Sequence, residues 1–468
     1  MTQRLHWSAY LLFALLCAGL SVAPIRNQLV QNPPAGWPLF TAPDKPTAGE
    51  VDSLTKLGPM DYPNWYVAGR TVVESGNFEG GLPLYLPHEY IGYPFLYPPF
   101  AAICLAALSL LGPTGMVISL VISNALSLLF AIEFSLRLAA GAEPIPTAAR
   151  VIPTLICGFF INDLFLMGQA NLGLLALVLG GLLLLRSKRE WAAGVPFALA
   201  AAIKAFPIVI VLYLLWRRRW KAAASTLLVT IALLVLAPAP IRGWDRNLAD
   251  LKDWLNGMVF SDANCGHGQR PERSVGWRNQ SLFGVGARYF DKTNAKAEEA
   301  LDDPRRLPGQ HVSEEVGSTP THSLYLNFLQ LGPSGAKWAT LIAAGLIGLG
   351  FILVLPKKSR VTPRSYGLEV GLLIALMTIA SPYAYAYYFS WLLMPLTVLC
   401  HRAWTDPERT NRRIAWASIV GVAVLFAASA PQIWGKLPMA VGVLFWSAII
   451  AAVGLGVLLK RERAGTVR

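Results

Sequence analysis

One polar stretch, Leu57 to Pro99, sets a carboxylate among aromatic rings: Asp61, Tyr62, Trp65 and Tyr66. A carboxylate there can take a proton from an attacking hydroxyl, which is general-base chemistry. The plain alternative is a solvated loop aspartate amid aromatics of a membrane–water interface. The stretch ends at Tyr97-Pro98-Pro99, where apolar sequence begins. Lys204 is the second reactive group. It sits inside Ala-Ala-Ala-Ile-Lys-Ala-Phe-Pro, deep in an apolar run. A cation at that depth costs about 2.5–3.5 kcal/mol on insertion scales and marks a functional site by default. It could bind an anion such as a lipid phosphate, snorkel, or pair with Glu133 or Asp163. Pro207 breaks the helix beside it, which is tolerated where a cavity is lined.

Four more groups carry chemistry at wider spacing. Gly168-Gln169-Ala170-Asn171 interrupts an apolar run near Asn162 and Asp163. The amides of Gln169 and Asn171 can cap a helix or bond sugar hydroxyls. In Arg278-Asn279-Gln280-Ser281, Arg278, with Arg273 nearby, could grip phosphate bidentately. The same residues spell an N-glycosylation sequon, read here as chance. His322 is a lone histidine in Thr-His-Ser-Leu-Tyr. Tyr383, Tyr385, Tyr387 and Tyr388 crowd one short segment. They suit an interfacial belt, or stacking on a sugar or prenyl chain. No paired carboxylates, Gly-rich nucleotide loop or His-Glu-x-x-His motif is present. Neither a metal nor another cofactor is therefore expected.

The elements that must position these groups are membrane spans. The 468 residues are 54% hydrophobic and only 14% charged, against about a quarter charged in soluble domains. Apolar runs of spanning length recur throughout. The fold class is therefore all-α and polytopic, with about 12 transmembrane helices. The first run, from about Trp7 to Pro24, follows Arg4 without a small-residue cleavage site and reads as a first span. A polar loop over 25–96 holds four basic and seven acidic residues. Apolar segments follow at 97–111, 114–138, 148–165, 170–186, 191–216 and 221–238. A second loop, 239–332, holds 11 basic and 12 acidic residues. Further spans at 335–355, 366–380, 384–401, 413–429 and 437–459 make up the C-terminal part, 333–468.

The net charge of +13 does not point to nucleic acid. Lys and Arg cluster in short gaps, at Arg217 to Lys221, Lys357 to Arg364 and Arg402 to Arg413, the positive-inside pattern of cytoplasmic loops. Both long loops then lie outside the cytoplasm. Arg186 to Arg189 conflicts with this, since a single span at 191–216 would separate it from Arg217. Either that cluster is an exception or re-entrant half-helices surround Lys204 and Pro207. Of Cys17, Cys104, Cys157, Cys265 and Cys400, only Cys265 lies in a long loop, so no loop disulfide forms within one chain.

Together these pieces resemble the GT-C superfamily of membrane glycosyltransferases, and within it glycosyltransferase family 87, the polyprenol-phosphate-mannose-dependent mannosyltransferases. The resemblance covers nearly the whole chain. It rests on Asp61-x-x-x-x-Tyr66, Tyr97-Pro98-Pro99, Gly168-Gln169-Ala170-Asn171, Lys204-x-x-Pro207 and Asn279-Gln280-Ser281. It implies a single GT-C membrane domain with Asp61 as catalytic base in the first outer loop. Tyr62, Tyr66, Tyr97, Gln169, Asn171, Lys204, Arg278, Asn279, Gln280, His322 and Tyr385 would bind donor or acceptor. The implied reaction is inverting transfer of a hexose, mannose being the family-level expectation, from a polyprenyl-phosphate donor. The acceptor would be a hydroxyl of a glycolipid, glycan or protein. The setting would be the bilayer of a bacterial cytoplasmic membrane, with the active site on its outer side. The absence of a second acid beside Asp61 in sequence matches a metal-free mechanism better. A secondary transporter or flippase of lipid-linked sugars is the rival, but such proteins show internal repeats, and none is visible.

Overall fold

The computed structural model describes residues 13, 15–25, 61–75, 81, 83–85, 95–259, 274–297, 323–356 and 361–465. His322 and Arg273 lie outside the described residues. All regular structure within them is helical. The helices are α1 (Leu15–Ile25), α2 (Tyr62–Glu74), α3 (Pro99–Ser109), α4 (Gly112–Ala140), α5 (Thr147–Ile156), α6 (Gly158–Met167), α7 (Asn171–Arg186) and α8 (Glu190–Ile203). Then come α9 (Phe206–Trp216), α10 (Trp220–Arg242), α11 (Trp244–Trp254), α12 (Leu282–Phe290), α13 (Gly332–Val354) and α14 (Pro363–Ala380). A 3-10 turn, Ala386–Leu392, leads into α15 (Leu393–Thr405), followed by α16 (Arg409–Ala428) and α17 (Val443–Gly465).

Five of these are long and apolar enough to cross a membrane: α4, α10, α13, α16 and the 443–463 part of α17. The pair α5–α6, bent by 56°, makes a sixth if taken as one span. The other apolar helices are short because Gly and Pro interrupt the apolar runs. Five or six spans by length is fewer than the sequence's twelve segments suggest.

One end of the bundle gathers the arginines. Arg186 Nη1 donates to the Arg137 carbonyl at 2.8 Å. Arg364 sits 3.3 Å from Glu143, and Arg461 sits 2.8 Å from Glu408. Arg217 grips Glu369 through two nitrogens, Nε at 2.6 Å, and Tyr213 adds its hydroxyl at 2.7 Å. This pair is buried. Removing one partner of such a pair strands the other charge, which costs far more than a surface bridge contributes. The opposite end carries α2, α11 and the parts of the polar loops that are described. There Arg242 and Arg246 both bond Asp250, which also accepts from the Leu84 N–H at 3.2 Å.

The region 190–219 resolves the conflict in the charge pattern. Glu190 opens α8, and Arg219 follows α9. Their side chains meet at 2.7 Å, so both ends of this segment lie at the arginine-rich end. The segment is a helical hairpin, which agrees with the half-helix alternative for 191–216 and not with a single straight pass. Its 14-residue first limb reaches about 21 Å inward at 1.5 Å per residue, and Lys204 is at its tip. Two cysteine variants in a cysteine-free background, Ser187→Cys and Arg218→Cys, should both react with a membrane-impermeant thiol reagent from one face of sealed vesicles. Labelling from opposite faces would refute the hairpin.

Candidate functional site

Three chain breaks meet in the interior. The first lies between α6 and α7. Gly168 ends α6 with φ +70°, a left-handed conformation nearly free of penalty only for glycine. A Cβ there would also come within 2.7 Å of the Tyr62 ring. The second break is Lys204, which has extended φ and ψ where α8 stops. Pro207 sits in the first turn of α9; without an N–H it can start a helix but not continue one. The third is the 381–385 segment before the 3-10 turn.

The outer helix α2 docks onto the first break. The Asp61 N–H donates to the Met167 carbonyl at 3.2 Å, and the Tyr62 hydroxyl donates to the Phe165 carbonyl at 2.7 Å. Burial pushes the Tyr62 phenol well above its ordinary range, so it keeps this proton. These two anchors aim the half-buried Asp61 carboxylate at Gln169, whose Nε2 donates to Oδ2. The other end of the same amide faces the opposite way. Gln169 Oε1 accepts from Lys204 Nζ at 3.2 Å and from the Tyr97 hydroxyl at 2.8 Å. Carboxylate, amide and ammonium thus form one relay, with the amide orientation fixed by the charges on either side.

Lys204 is buried. Its second bonded partner is Asn171 Oδ1 at 3.0 Å, and Asn171 is held in turn by Trp391 Nε1 donating to its carbonyl at 2.8 Å. The rings of Tyr388 and Tyr97 lie 4.3 and 5.0 Å from Nζ, and Tyr387 lies at 5.4 Å. Each of these partners is neutral. Glu133, one expected partner, pairs with Arg137 instead at 2.8 Å. Asn171 Nδ2 is buried without a hydrogen-bond acceptor. Such an orphan donor costs roughly 1–3 kcal/mol unless something fills it. An ammonium satisfied by neutral oxygens and rings, beside an unfilled N–H, is a place for an anion.

A cavity of about 720 Å³ opens from this point. It starts at Gly168 and Gln169 and follows α7 past Gly173 and Gly180 to Ser187, with α4 as its other wall. Ser123, Asn124, Ser127 and Ser187 supply its few polar side chains besides Gln169; the rest is mostly aliphatic, with Phe130 and Phe134. It connects the relay to the arginine-rich end.

The structure therefore gathers Asp61, Tyr62, Tyr97, Gln169, Asn171 and Lys204. Tyr66 lies one turn along α2, half-buried against the core. Tyr385 stands two residues from Tyr387. The Arg278 guanidinium lies 5.1 Å over the Trp277 ring. Asn279 and Gln280 are both fully buried, and their amides bond backbone. Asn279 Nδ2 donates to the Ser274 and Pro382 carbonyls at 2.9 and 3.1 Å, and its Oδ1 accepts the N–H groups of Ser281 and Ala384. Gln280 bonds the Trp277 and Met439 carbonyls and the Leu444 N–H. Asp163 on α6 lies within electrostatic range of Asp61. Its isolation in an apolar helix was the signal for it. Among the described residues, no group of three or more His, Cys, Asp or Glu is placed to hold a metal ion.

Comparison with known proteins supplies a family. The model of glycosyltransferase family 87 matches residues 95–382, more than half of the chain. Two curated relatives carry the same name, polyprenol-phosphate-mannose-dependent alpha-(1-2)-phosphatidylinositol pentamannoside mannosyltransferase. The one from Mycolicibacterium smegmatis is 34% identical over 142 residues, covering 30% of this chain and 33% of the relative. The one from Mycobacterium tuberculosis is 32% identical over 143 residues, covering 30% and 32%. The matched stretch thus spans about a third of each relative. No solved structure matches the chain.

Gly168→Ala is expected to destabilise the protein by at least about 1–2 kcal/mol from the left-handed backbone alone, before the clash with Tyr62. A lower melting temperature in detergent checks it. An unchanged melting temperature would show that the turn does not hold Tyr62.

Proposed function

The chain belongs to glycosyltransferase family 87, and from that premise we propose that it moves a hexose, mannose in the first instance, from a polyprenyl-phosphate donor to an acceptor hydroxyl outside the cytoplasm. The observation that carries this reading is Lys204, a buried cation with neutral partners and an orphan amide donor beside it. A phosphodiester oxygen would bring a negative charge onto Lys204 in addition to that of Asp61 across Gln169, and would accept the Asn171 N–H. The apolar cavity that begins at Gln169 fits a prenyl chain. It would set the sugar between Lys204 and Asp61.

On this reading the reaction is one displacement with inversion. Asp61 accepts the proton of the acceptor hydroxyl. The acceptor oxygen forms a bond to the anomeric carbon while the bond from that carbon to the phosphate oxygen breaks. The electron pair leaves with polyprenyl phosphate, whose new charge faces Lys204. The proton stays on Asp61 until solvent takes it. Gln169 holds base and ammonium in register, so positioning and electrostatic stabilisation supply most of the rate.

The arginine-rich end would face the cytoplasm, and the end bearing α2 and the polar loops would face outward. The short apolar helices α1 and α7, and α14 and α15, would complete the membrane passes alongside the long ones. The Lys204 hairpin would enter and leave from the cytoplasmic face.

Asp61→Asn should lower transfer by about 10²–10⁴-fold while labelled polyprenyl-phosphate mannose still binds. Undiminished transfer would remove Asp61 as the base. Lys204→Met keeps the apolar stem and should weaken donor binding itself; unaltered donor affinity in that variant would remove the phosphate assignment.

A further inference from the structure

Helix α4 carries a short polar strip where the apolar cavity begins. Ser123, Asn124 and Ser127 stand at positions i, i+1 and i+4, on one face of the helix, and all three line the cavity. Asn124 is only 4% exposed. Among the described residues, none of these three side chains has a hydrogen-bond partner.

Hydroxyls elsewhere in the long helices behave differently. Ser119, one turn earlier on α4, donates to the Gly115 carbonyl at 2.8 Å. Thr340 on α13 and Ser418 on α16 donate likewise to the carbonyls of Ala336 and Ile414, at 2.8 and 2.9 Å. That local bond is how a helix ordinarily satisfies Ser and Thr. Ser127 does not make it, and neither does Ser123. A buried carboxamide without a partner costs free energy. The packing of α4 therefore gives no reason for Asn124, whereas a ligand in the cavity does.

The position of the strip says which part of a ligand it meets. Ser127 lies against Gly173, where a Cβ would come within 3.2 Å of its Oγ. Gly173 is two residues beyond Asn171, about 3 Å along the α7 axis. Ile203, the neighbour of Lys204, lines the same cavity. The strip thus faces the point where a phosphate held by Lys204 would pass into its prenyl chain. No charged side chain lines the cavity. A separate anion at the strip would meet no counter-charge, but oxygens of an anion already held by Lys204 would meet hydrogen-bond donors. The prenyl side of a phosphodiester offers such oxygens, and the hydrocarbon chain beyond it offers none.

We propose that Asn124 and Ser127 are donor-binding residues, with Asn124 Nδ2 and the Ser127 hydroxyl donating to oxygens on the prenyl side of the donor phosphate. This rests on the glycosyl-transfer reading, in which that phosphate sits at Lys204. Lys204 and Asn171 then hold the phosphate from one wall and α4 holds it from the other. The strip fixes how far the lipid is drawn along α7, and with it where the anomeric carbon stands relative to Asp61.

The test uses the full-length protein in nanodiscs and two lipids of equal chain length, polyprenyl phosphate and the uncharged polyprenol. Binding of each is measured by native mass spectrometry, and the readout is the ratio of their affinities. The wild type should favour the phosphate. Asn124→Leu should lower the ratio about tenfold, since hydrogen bonds to charged groups are the strong ones, and should leave polyprenol binding as it was. Its melting temperature without lipid should not fall, because an amide lacking a partner gives way to an apolar side chain of similar size. A residue serving packing alone would show the reverse, lower stability with an unchanged ratio. Ser127→Ala should lower the ratio severalfold, and as a small deletion it tests the proposal even if Asn124→Leu fails to fold. Phe134→Ala, further along the cavity, should weaken both lipids alike and keep the ratio. A ratio that survives both Asn124→Leu and Ser127→Ala, or a loss that these variants show equally for the two lipids, overturns the assignment while the phosphate stays at Lys204. A wild type that binds polyprenol as tightly as polyprenyl phosphate removes the phosphate from Lys204, and this inference with it.

Discussion

A cation in a greasy interior dictates the rest of this structure. Lys204 is buried at the tip of a hairpin that enters and leaves from one end of the bundle. Its charge is tolerable only if polar groups converge on it, and the groups that do so come from places where a helix has been interrupted. Asn171 begins α7 and Gln169 precedes it; Tyr388 follows the 381–385 break. Intact helices bond their own backbone and bring few polar atoms inward. The breaks are thus the means by which an apolar bundle supports a polar site, and Gly168, Pro207 and Pro382 are the residues that permit them.

The same constraint orders the space around the relay. One route away from Gln169 is apolar and runs down α7 between helices. The other runs along stacked tyrosines toward the polar segments. The large polar segment takes part from a distance: the Asn279 and Gln280 amides bond backbone, yet they fix the conformation of the tyrosine segment. A residue can matter to a site without facing it.

Several features are legible in the residues themselves. Apolar runs and clustered arginines announce helices in a membrane. The intramembrane lysine stands out because a cation in an apolar run is costly, and Asp61 with Tyr62 could be singled out for the aromatics around it. The charge pattern even marked 191–216 as a place where either a cluster or a span was anomalous; Glu190 meeting Arg219 decided for the hairpin. The roles of Asn279 and Gln280 were not legible. A buried amide that bonds backbone and one that bonds a substrate have the same side chain, and only the surroundings tell them apart. Nor was the approach of Asp163 to Asp61, because two acids far apart in sequence become neighbours only when α6 docks under α2.

The amino-acid order alone determined the medium and the inventory: an apolar, helical chain, a carboxylate among aromatics, a stranded ammonium, and breaks at Gly and Pro. These come from transfer free energies and local backbone preferences, which depend on a residue and its near neighbours. Tertiary structure decided which breaks share a level, which partner each buried polar group takes, and which face the tyrosines present. Those outcomes depend on packing between segments distant in the chain. A hydrogen bond is made or lost over less than an ångström, and no local pattern carries that information.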